Sequence, residues 1–158
     1  MPRVYLSLGT NQGDRPAQLQ AALVALESAF GAAPTALSSF VETPAWGFEG
    51  SDFLNCAVRF DGPEGKGLTP TRLLDLCQRI ERRMGRRGRP EWDAAGRRIY
   101  HDRPIDIDIL FWDCRRIRTT RLLIPHPLIA ERDFVLRPLA EILDEETKRA
   151  FPEIFAGK

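Results

Sequence analysis

Residues Ile105-Asp106-Ile107-Asp108-Ile109 alternate strictly between a branched apolar side chain and a carboxylate. A period of two is that of a β-strand, whose side chains point to opposite faces in turn. As a strand, Arg103 to Leu110 places Ile105, Ile107 and Ile109 on one face, which needs a core, and Asp106 and Asp108 on the other. The two carboxylates then stand about 7 Å apart along a stiff element. Two hard anions so placed repel one another unless a cation lies between them, and they suit Mg²⁺. The plainer alternative is an amphipathic strand with a wet outer face. An isolated Asp-x-Asp does not decide between the two, so the rest of the chain has to.

The chain has 158 residues. That predicts one domain over residues 1–158, able to bury about two-thirds of its unfolded surface. The formal charge of +1 argues against a general polyanion binder, although charge can still cluster locally. Cys56, Cys77 and Cys114 are odd in number, widely spaced and form no Cys-x-x-Cys pair. They read as reduced thiols of a cytoplasmic protein rather than as a disulfide framework or a zinc site. The sequence predicts no signal peptide and no membrane-spanning run.

Val4 to Leu8 reads as a buried strand, and Gly9-Thr10-Asn11-Gln12-Gly13-Asp14 as a turn-rich loop. Asp14 is placed to cap a helix with Pro16 in its first turn; Leu19, Ala22, Leu23, Leu26, Ala29 and Phe30 recur at helical spacing, and Gly31 stops it. The loop lacks the Gly-Lys-Ser/Thr ending of a Walker loop. Thr35 to Glu42 reads as a second strand. The loop after it carries Trp46 and Phe48, which either fold back on the core or lie over a flat ligand. Phe53 to Phe60 is a third strand. Asn55 within it either closes a backbone gap or reads a heteroatom-rich ligand. Thr69-Pro70 opens a second helix with Leu73, Leu76, Cys77, Ile80 and Met84 on one face.

Arg82, Arg83, Arg86, Arg87, Arg89, Arg97 and Arg98 crowd the stretch before the Asp strand, where Gly85, Gly88, Pro90 and Gly96 predict irregular backbone. It is either a solvated basic loop or a lid that brings guanidinium groups onto phosphates. After the Asp strand, Asp113-Cys114 predicts a hairpin turn with Arg116-Ile117-Arg118 returning. His126 is clamped between Pro125 and Pro127, and the tail from Ala140 reads as one or two short helices with Phe151, Ile154 and Phe155 packing back.

The predicted order is β-α-β-β-α-β with added hairpin and helical pieces: an α+β, ferredoxin-like split-βαβ fold, antiparallel, with both helices on one face. Its first and fourth strands are neighbours, so the Gly9 loop, the Asp strand and the Arg-rich stretch border one cleft. Carboxylates for a metal, Arg for phosphate, and aromatics with Asn55 for a flat heterocycle together describe phosphoryl-type transfer from a nucleotide to a planar acceptor.

An ordered set of motifs runs along the chain. It comprises Gly9-Thr10-Asn11, Ser38-Ser39-Phe40 leading to Thr43-Pro44, Asp52 to Val58, Gln78-Arg79-Ile80-Glu81, Gly85-Arg86, Arg103 to Leu110, Pro125-His126-Pro127 and Arg132 to Leu136. In this set the chain resembles the 6-hydroxymethyl-7,8-dihydropterin pyrophosphokinase family of folate biosynthesis, over residues 4 to about 142. The resemblance implies transfer of pyrophosphate from ATP to the pterin hydroxymethyl group, with AMP as the other product. It implies two Mg²⁺ ions on Asp106 and Asp108, and Arg86 and Arg103 as catalytic residues closing over the phosphates. Leu74, Gln78, Arg86, Arg103, Ile109, Arg121, His126 and Arg132 would meet ATP. Thr43, Pro44, Trp46, Phe53, Asn55 and Phe134 would meet the pterin. The partners would be these two small molecules, with no nucleic acid and no membrane, and the protein a monomer.

The chain departs from common members at Tyr100-His101-Asp102, where many have Trp-Gly-Pro, at Gly88, where a second Arg is usual, and at Phe53, where Tyr is common. A nucleic-acid-binding ferredoxin-like domain is the competing reading. It lacks the paired motifs with exposed sheet aromatics, and two sheet carboxylates would repel phosphate. A binding-only relative is a further alternative, against which Arg103, Asp106, Asp108 and His126 all stand.

Overall fold

The computed structural model describes residues 2–44, 51–62, 67–85, 91–92, 94–95, 98–99 and 105–156. Along them run β1 (Arg3–Thr10), α1 (Arg15–Phe30), β2 (Ala36–Leu37), β3 (Val41–Thr43), β4 (Phe53–Asp61), α2 (Pro70–Arg83), β5 (Glu91–Trp92), β6 (Arg98–Ile99) and β7 (Asp106–Trp112). There follow β8 (Ile117–Arg118), β9 (Leu123–Ile124), a 3-10 turn at Ile129–Glu131, α3 (Asp133–Ala140), α4 (Glu145–Ala150) and α5 (Pro152–Phe155). The architecture is α+β. β1 is central and pairs antiparallel with β4 on one side and β7 on the other, while β2 and β3 both pair with the far edge of β4.

Helix boundaries follow local chemistry. The Asp14 carboxylate accepts from Ala17 N–H at 3.1 Å, Pro16 occupies the first turn of α1, and Gly31 ends it in the left-handed region at φ 70° with its N–H on Glu27 O. The Thr69 hydroxyl accepts from Arg72 N–H, and Pro70 opens α2. Val4, Leu6, Leu8, Cys56, Val58, Phe60, Ile105, Ile107 and Ile109 form one face of the sheet. They pack against Leu19, Leu23, Leu26 and Phe30 of α1 and Leu73, Cys77 and Ile80 of α2. A buried aliphatic or aromatic side chain contributes about 1.5–3 kcal/mol, so this layer is the main source of stability. Burial pushes the Cys56 thiol up to about 12 and raises Cys77 as well, while Cys114 is exposed; all three are free.

The opposite face is divided. At one end Tyr5, Ala57, Leu110 and Phe111 are covered by Val135 and Leu139 of α3 and by Phe151, Ile154 and Phe155, as expected for the tail. At the other end the sheet presents Ser7, Gly9, Asn55, Asp106 and Asp108, aligned across β4, β1 and β7. Asp144 locks the tail in place. Its carboxylate caps α4 through Thr147 N–H, accepts from the Tyr5 hydroxyl at 2.6 Å, and pairs with Arg3 at 2.9 Å. Burial opposes its ionisation, but the hydrogen bonds from Thr147 and Tyr5 and the Arg3 charge outweigh that cost and hold its pKa at about 2.

Four expectations are corrected. Gly9 and Thr10 lie in β1, not in a loop, because both pair with β4. The second strand is broken into β2 and β3, because the Ser38 hydroxyl accepts from Ala57 N–H at 2.8 Å where a strand carbonyl would. The stretch between α2 and the Asp strand holds the paired strands β5 and β6. After β7 the chain does not return along it: Ile117–Arg118 pairs with Leu123–Ile124 in a separate hairpin. In β7 the alternation also ends early. Register slips between Tyr5↔Phe111 and Leu6↔Ile109, leaving Leu110 as the extra residue of a bulge, so Leu110 and Phe111 both join the tail-covered cluster.

Candidate active site

Asp106 and Asp108 sit on the open part of the divided face, as their spacing predicts, paired with Gly9 and Ser7. Beside Asp108 stand two groups from the segment that follows the β8–β9 hairpin. His126 Nε2 lies 3.9 Å from Oδ1, and Arg132 Nη1 lies 3.8 Å from Oδ2. His126 is oriented by its neighbours. Its N–H donates to Leu110 O, and its Nδ1 accepts from Leu128 N–H at 3.3 Å, which leaves the ring proton on Nε2. Burial and the Arg132 charge, opposed by Asp106, lower its pKa to about 4, so the ring is neutral at pH 7. The preceding Ile124–Pro125 peptide bond is cis. The Arg132 guanidinium lies 5.5 Å from the centre of the Phe134 ring, at the start of α3.

Across the sheet, Asn55 is 2% exposed. Its amide donates to Thr43 Oγ1 at 2.7 Å and to Val41 O at 3.3 Å, so it does close a backbone gap, tying β3 to β4. Gly9 lies between Asn55 and Asp106 in one row across three strands, about 10 Å from end to end. A Cβ at Gly9 would come within 2.8 Å of Asn55 Oδ1. The glycine keeps the floor between the amide and the carboxylates clear. Thr43 and Phe53 are direct cross-strand partners beside this row.

On the open edge of β7 the arrangement depends on α2. Glu81, 8% exposed, accepts from Ile107 N–H at 2.9 Å, on the residue between the two aspartates. Ile109 shares the strand parity of Ile107, and its side chain is buried against the helices. Leu74 is half-buried and Gln78 exposed on α2. Arg121 reaches α2 through Asp75 at 2.6 Å. The structure thus brings Asp106, Asp108, His126 and Arg132 together at one end of a row, and Asn55, Thr43 and Phe53 at the other, with Phe134 on α3, the helix that packs against β4 and β3. Leu74, Gln78, Ile109 and Arg121 lie along the β7–α2 side, and Pro44 follows Thr43. Trp46, Arg86, Arg103 and Tyr100 fall outside the described residues.

Glu81 carried no role in the sequence reading, although the spacing Leu73, Cys77, Glu81 puts a carboxylate on the buried stripe of α2, where it needs a donor. Ser39 and Glu141 were missed for a different reason. Their contacts, Ser39 N–H and hydroxyl on the Glu141 carboxylate at 2.9 and 2.7 Å, join the strand break to the end of α3 across 102 residues.

Among the described residues no group of three or more His, Cys, Asp and Glu side chains is placed to hold a metal ion by itself. Two carboxylates on one strand still fit Mg²⁺, which takes one or two protein carboxylates and completes its octahedron with water and substrate phosphate oxygens.

The family model described as 7,8-dihydro-6-hydroxymethylpterin-pyrophosphokinase matches residues 5–144. The chain belongs to this pyrophosphokinase family. A 2-amino-4-hydroxy-6-hydroxymethyldihydropteridine pyrophosphokinase of Porphyromonas gingivalis is 42% identical over 90% of this chain and 91% of its own length. The Bacillus subtilis pyrophosphokinase of the same name is 38% identical over 92% and 81%. The folate synthesis bifunctional protein of Arabidopsis thaliana is 37% identical over 90% of this chain, which spans 27% of that protein. Among solved structures, a crystal structure of HPPK-DHPS in complex with substrates shares the fold, with a TM-score of 0.62 at 14% identity. The likeness covers 96% of this chain and 43% of that one. Among the described residues no helix is long and apolar enough to cross a membrane.

Proposed function

We propose that this pyrophosphokinase-family protein transfers the β,γ-pyrophosphoryl group of ATP to the hydroxymethyl oxygen of 6-hydroxymethyl-7,8-dihydropterin, giving AMP and the pterin pyrophosphate for folate biosynthesis. The observation that carries this reading is the row Asn55–Gly9–Asp106. The Asn55 amide, whose nitrogen is held by Thr43 and Val41 and whose Oδ1 faces Gly9, shares one floor with a carboxylate pair fit to hold metal-bound phosphates. The acceptor oxygen attacks the β-phosphorus in line. The bond from that phosphorus to the α,β-bridging oxygen breaks, AMP leaves with the bridging oxygen, and the hydroxyl proton goes to solvent. No side chain is needed as a nucleophile, so the task is positioning and charge.

In this reading Asp106 and Asp108 hold two Mg²⁺ ions. When bound, the metal supplies neutralisation of phosphate charge and a template for the acceptor oxygen. Arg132 adds fixed positive charge beside Asp108, and neutral His126 offers an Nε2–H donor at the same place. Phe134 and Phe53 supply flat apolar surface for the pterin, with Asn55, Thr43, Pro44 and Trp46 along its polar edge. Leu74, Gln78 and Arg121 take the nucleotide, with Ile109, whose side chain is in the core, contributing through its backbone. Arg86 and Arg103 close over the phosphates as the catalytic arginines. The strand order β7-β1-β4-β2, all antiparallel, with α1 and α2 on one face, supports a ferredoxin-like core; in this reading it is a single catalytic domain acting as a monomer in the cytoplasm. Asp106→Ala and Asp108→Ala each test this: turnover with Mg²⁺ and ATP should fall by at least about 10³-fold while the fold is retained. Near-normal turnover in either variant contradicts the metal assignment.

A further inference from the structure

The pterin-side residues Thr43 and Phe53 end the β3–β4 ladder. Among the described residues no strand pairing continues beyond them, and both stems are gripped from behind the sheet. Arg15, the first residue of α1, places Nη2 2.7 Å from Glu42 Oε1 on the β3 stem and donates from Nη1 to Asp52 O at 2.9 Å on the β4 stem. Four residues earlier, the buried Asn11 side chain donates from Nδ2 to Ser51 O at 3.2 Å. Strand parity makes the direction of this grip clear. Thr43, Phe53 and Asn55 share the open face with Gly9, whereas Glu42 and its partner Leu54 point to the helix side, where Leu54 packs against the main core.

We propose that Arg15 is a positioning residue for the pterin. It acts through Glu42 and the Asp52 carbonyl to fix the separation of Thr43 and Phe53, without touching the substrate. The planar guanidinium suits this task because two separate N–H groups reach two stems at once, which a lysine ammonium on a flexible stem does not match. Arg15 is 29% exposed and Glu42 55%, so the pair adds little to global stability. Its effect falls on the local geometry of the ladder end. The nucleotide side is built on β7, α2 and the His126–Arg132 segment and shares none of these contacts.

This proposal rests on the pyrophosphokinase reading, and the experiment separates the two. Steady-state kinetics with Mg²⁺-ATP and the hydroxymethyl dihydropterin are measured for the wild type, Arg15→Ala and Arg15→Lys, alongside direct pterin binding by fluorescence titration and a thermal melt. Arg15→Ala should raise KM and Kd for the pterin about fivefold to twentyfold, leave KM for ATP within about twofold, and keep the wild-type melting behaviour. Arg15→Lys should fall between the two. If the wild type turns over but Arg15→Ala keeps wild-type pterin affinity, or if both KM values rise together, Arg15 does not position the pterin side. A wild type that releases no AMP overturns the reaction itself.

Discussion

In the proposed site, Gly9 is the residue that joins the pterin side to the nucleotide side. It sits inside a strand, where glycine is disfavoured, and its missing Cβ is what lets the Asn55 amide lie flat beside β1. Gly9→Ala should displace that amide, break its hydrogen bond to Thr43, and weaken pterin binding about tenfold or more. Nucleotide affinity should stay close to wild type, as a pair of fluorescence and calorimetric titrations would show. Asp144 makes a second prediction at this scale. Its folded pKa of about 2 lies below the ordinary carboxylate value of 3.8. The stability it contributes, about 2 kcal/mol, is fully present above about pH 4 and is lost as pH falls toward about 2. Urea melts between pH 7 and pH 2 should show that acid limb in the wild type and a flatter one in Asp144→Asn. A mutant with the same acid limb would place the effect elsewhere.

Among the elements, β7 was the most legible from sequence and the second strand the least. The period-two run of isoleucine and aspartate declares both the strand and its two faces locally. The Leu110 bulge is a mismatch of register with β1, and nothing within β7 itself announces it. The split of β2 from β3 depends on the Ser38 hydroxyl meeting Ala57, 19 residues away. Gly9 and Thr10 looked like turn residues because glycine is usually a break, whereas here it serves close approach. Glu81 was legible as an acid on an apolar stripe, and the structure shows it holding the Ile107 amide between the two aspartates. Glu81→Ala should leave that buried N–H without its acceptor and cost about 1–3 kcal/mol. Hydrogen exchange at Ile107 should speed up far more than at β1 amides. Equal protection in the variant would remove Glu81 from the support of the aspartate strand.

At the scale of the molecule, one sheet serves two purposes. Its helix-covered face is mainly apolar and fixes the strands, while the other face is closed by the tail at one end and polar at the other. The α3 helix marks the border. Its start carries Arg132 and Phe134 into the site, and its far end is tied by Glu141 to Ser39 at the break in the second strand. Glu141→Ala should therefore loosen the Phe134 side, raising KM for the pterin by a fewfold with kcat for the reaction little changed. Unchanged kinetics would show that α3 holds its place by packing alone. The decisive measurement is product analysis by chromatography after incubating the protein with ATP, Mg²⁺ and 6-hydroxymethyl-7,8-dihydropterin. Transfer at the β-phosphorus predicts pterin-dependent AMP, equimolar with the pterin pyrophosphate. Pterin-dependent ADP, or no nucleotide product at all, would contradict it.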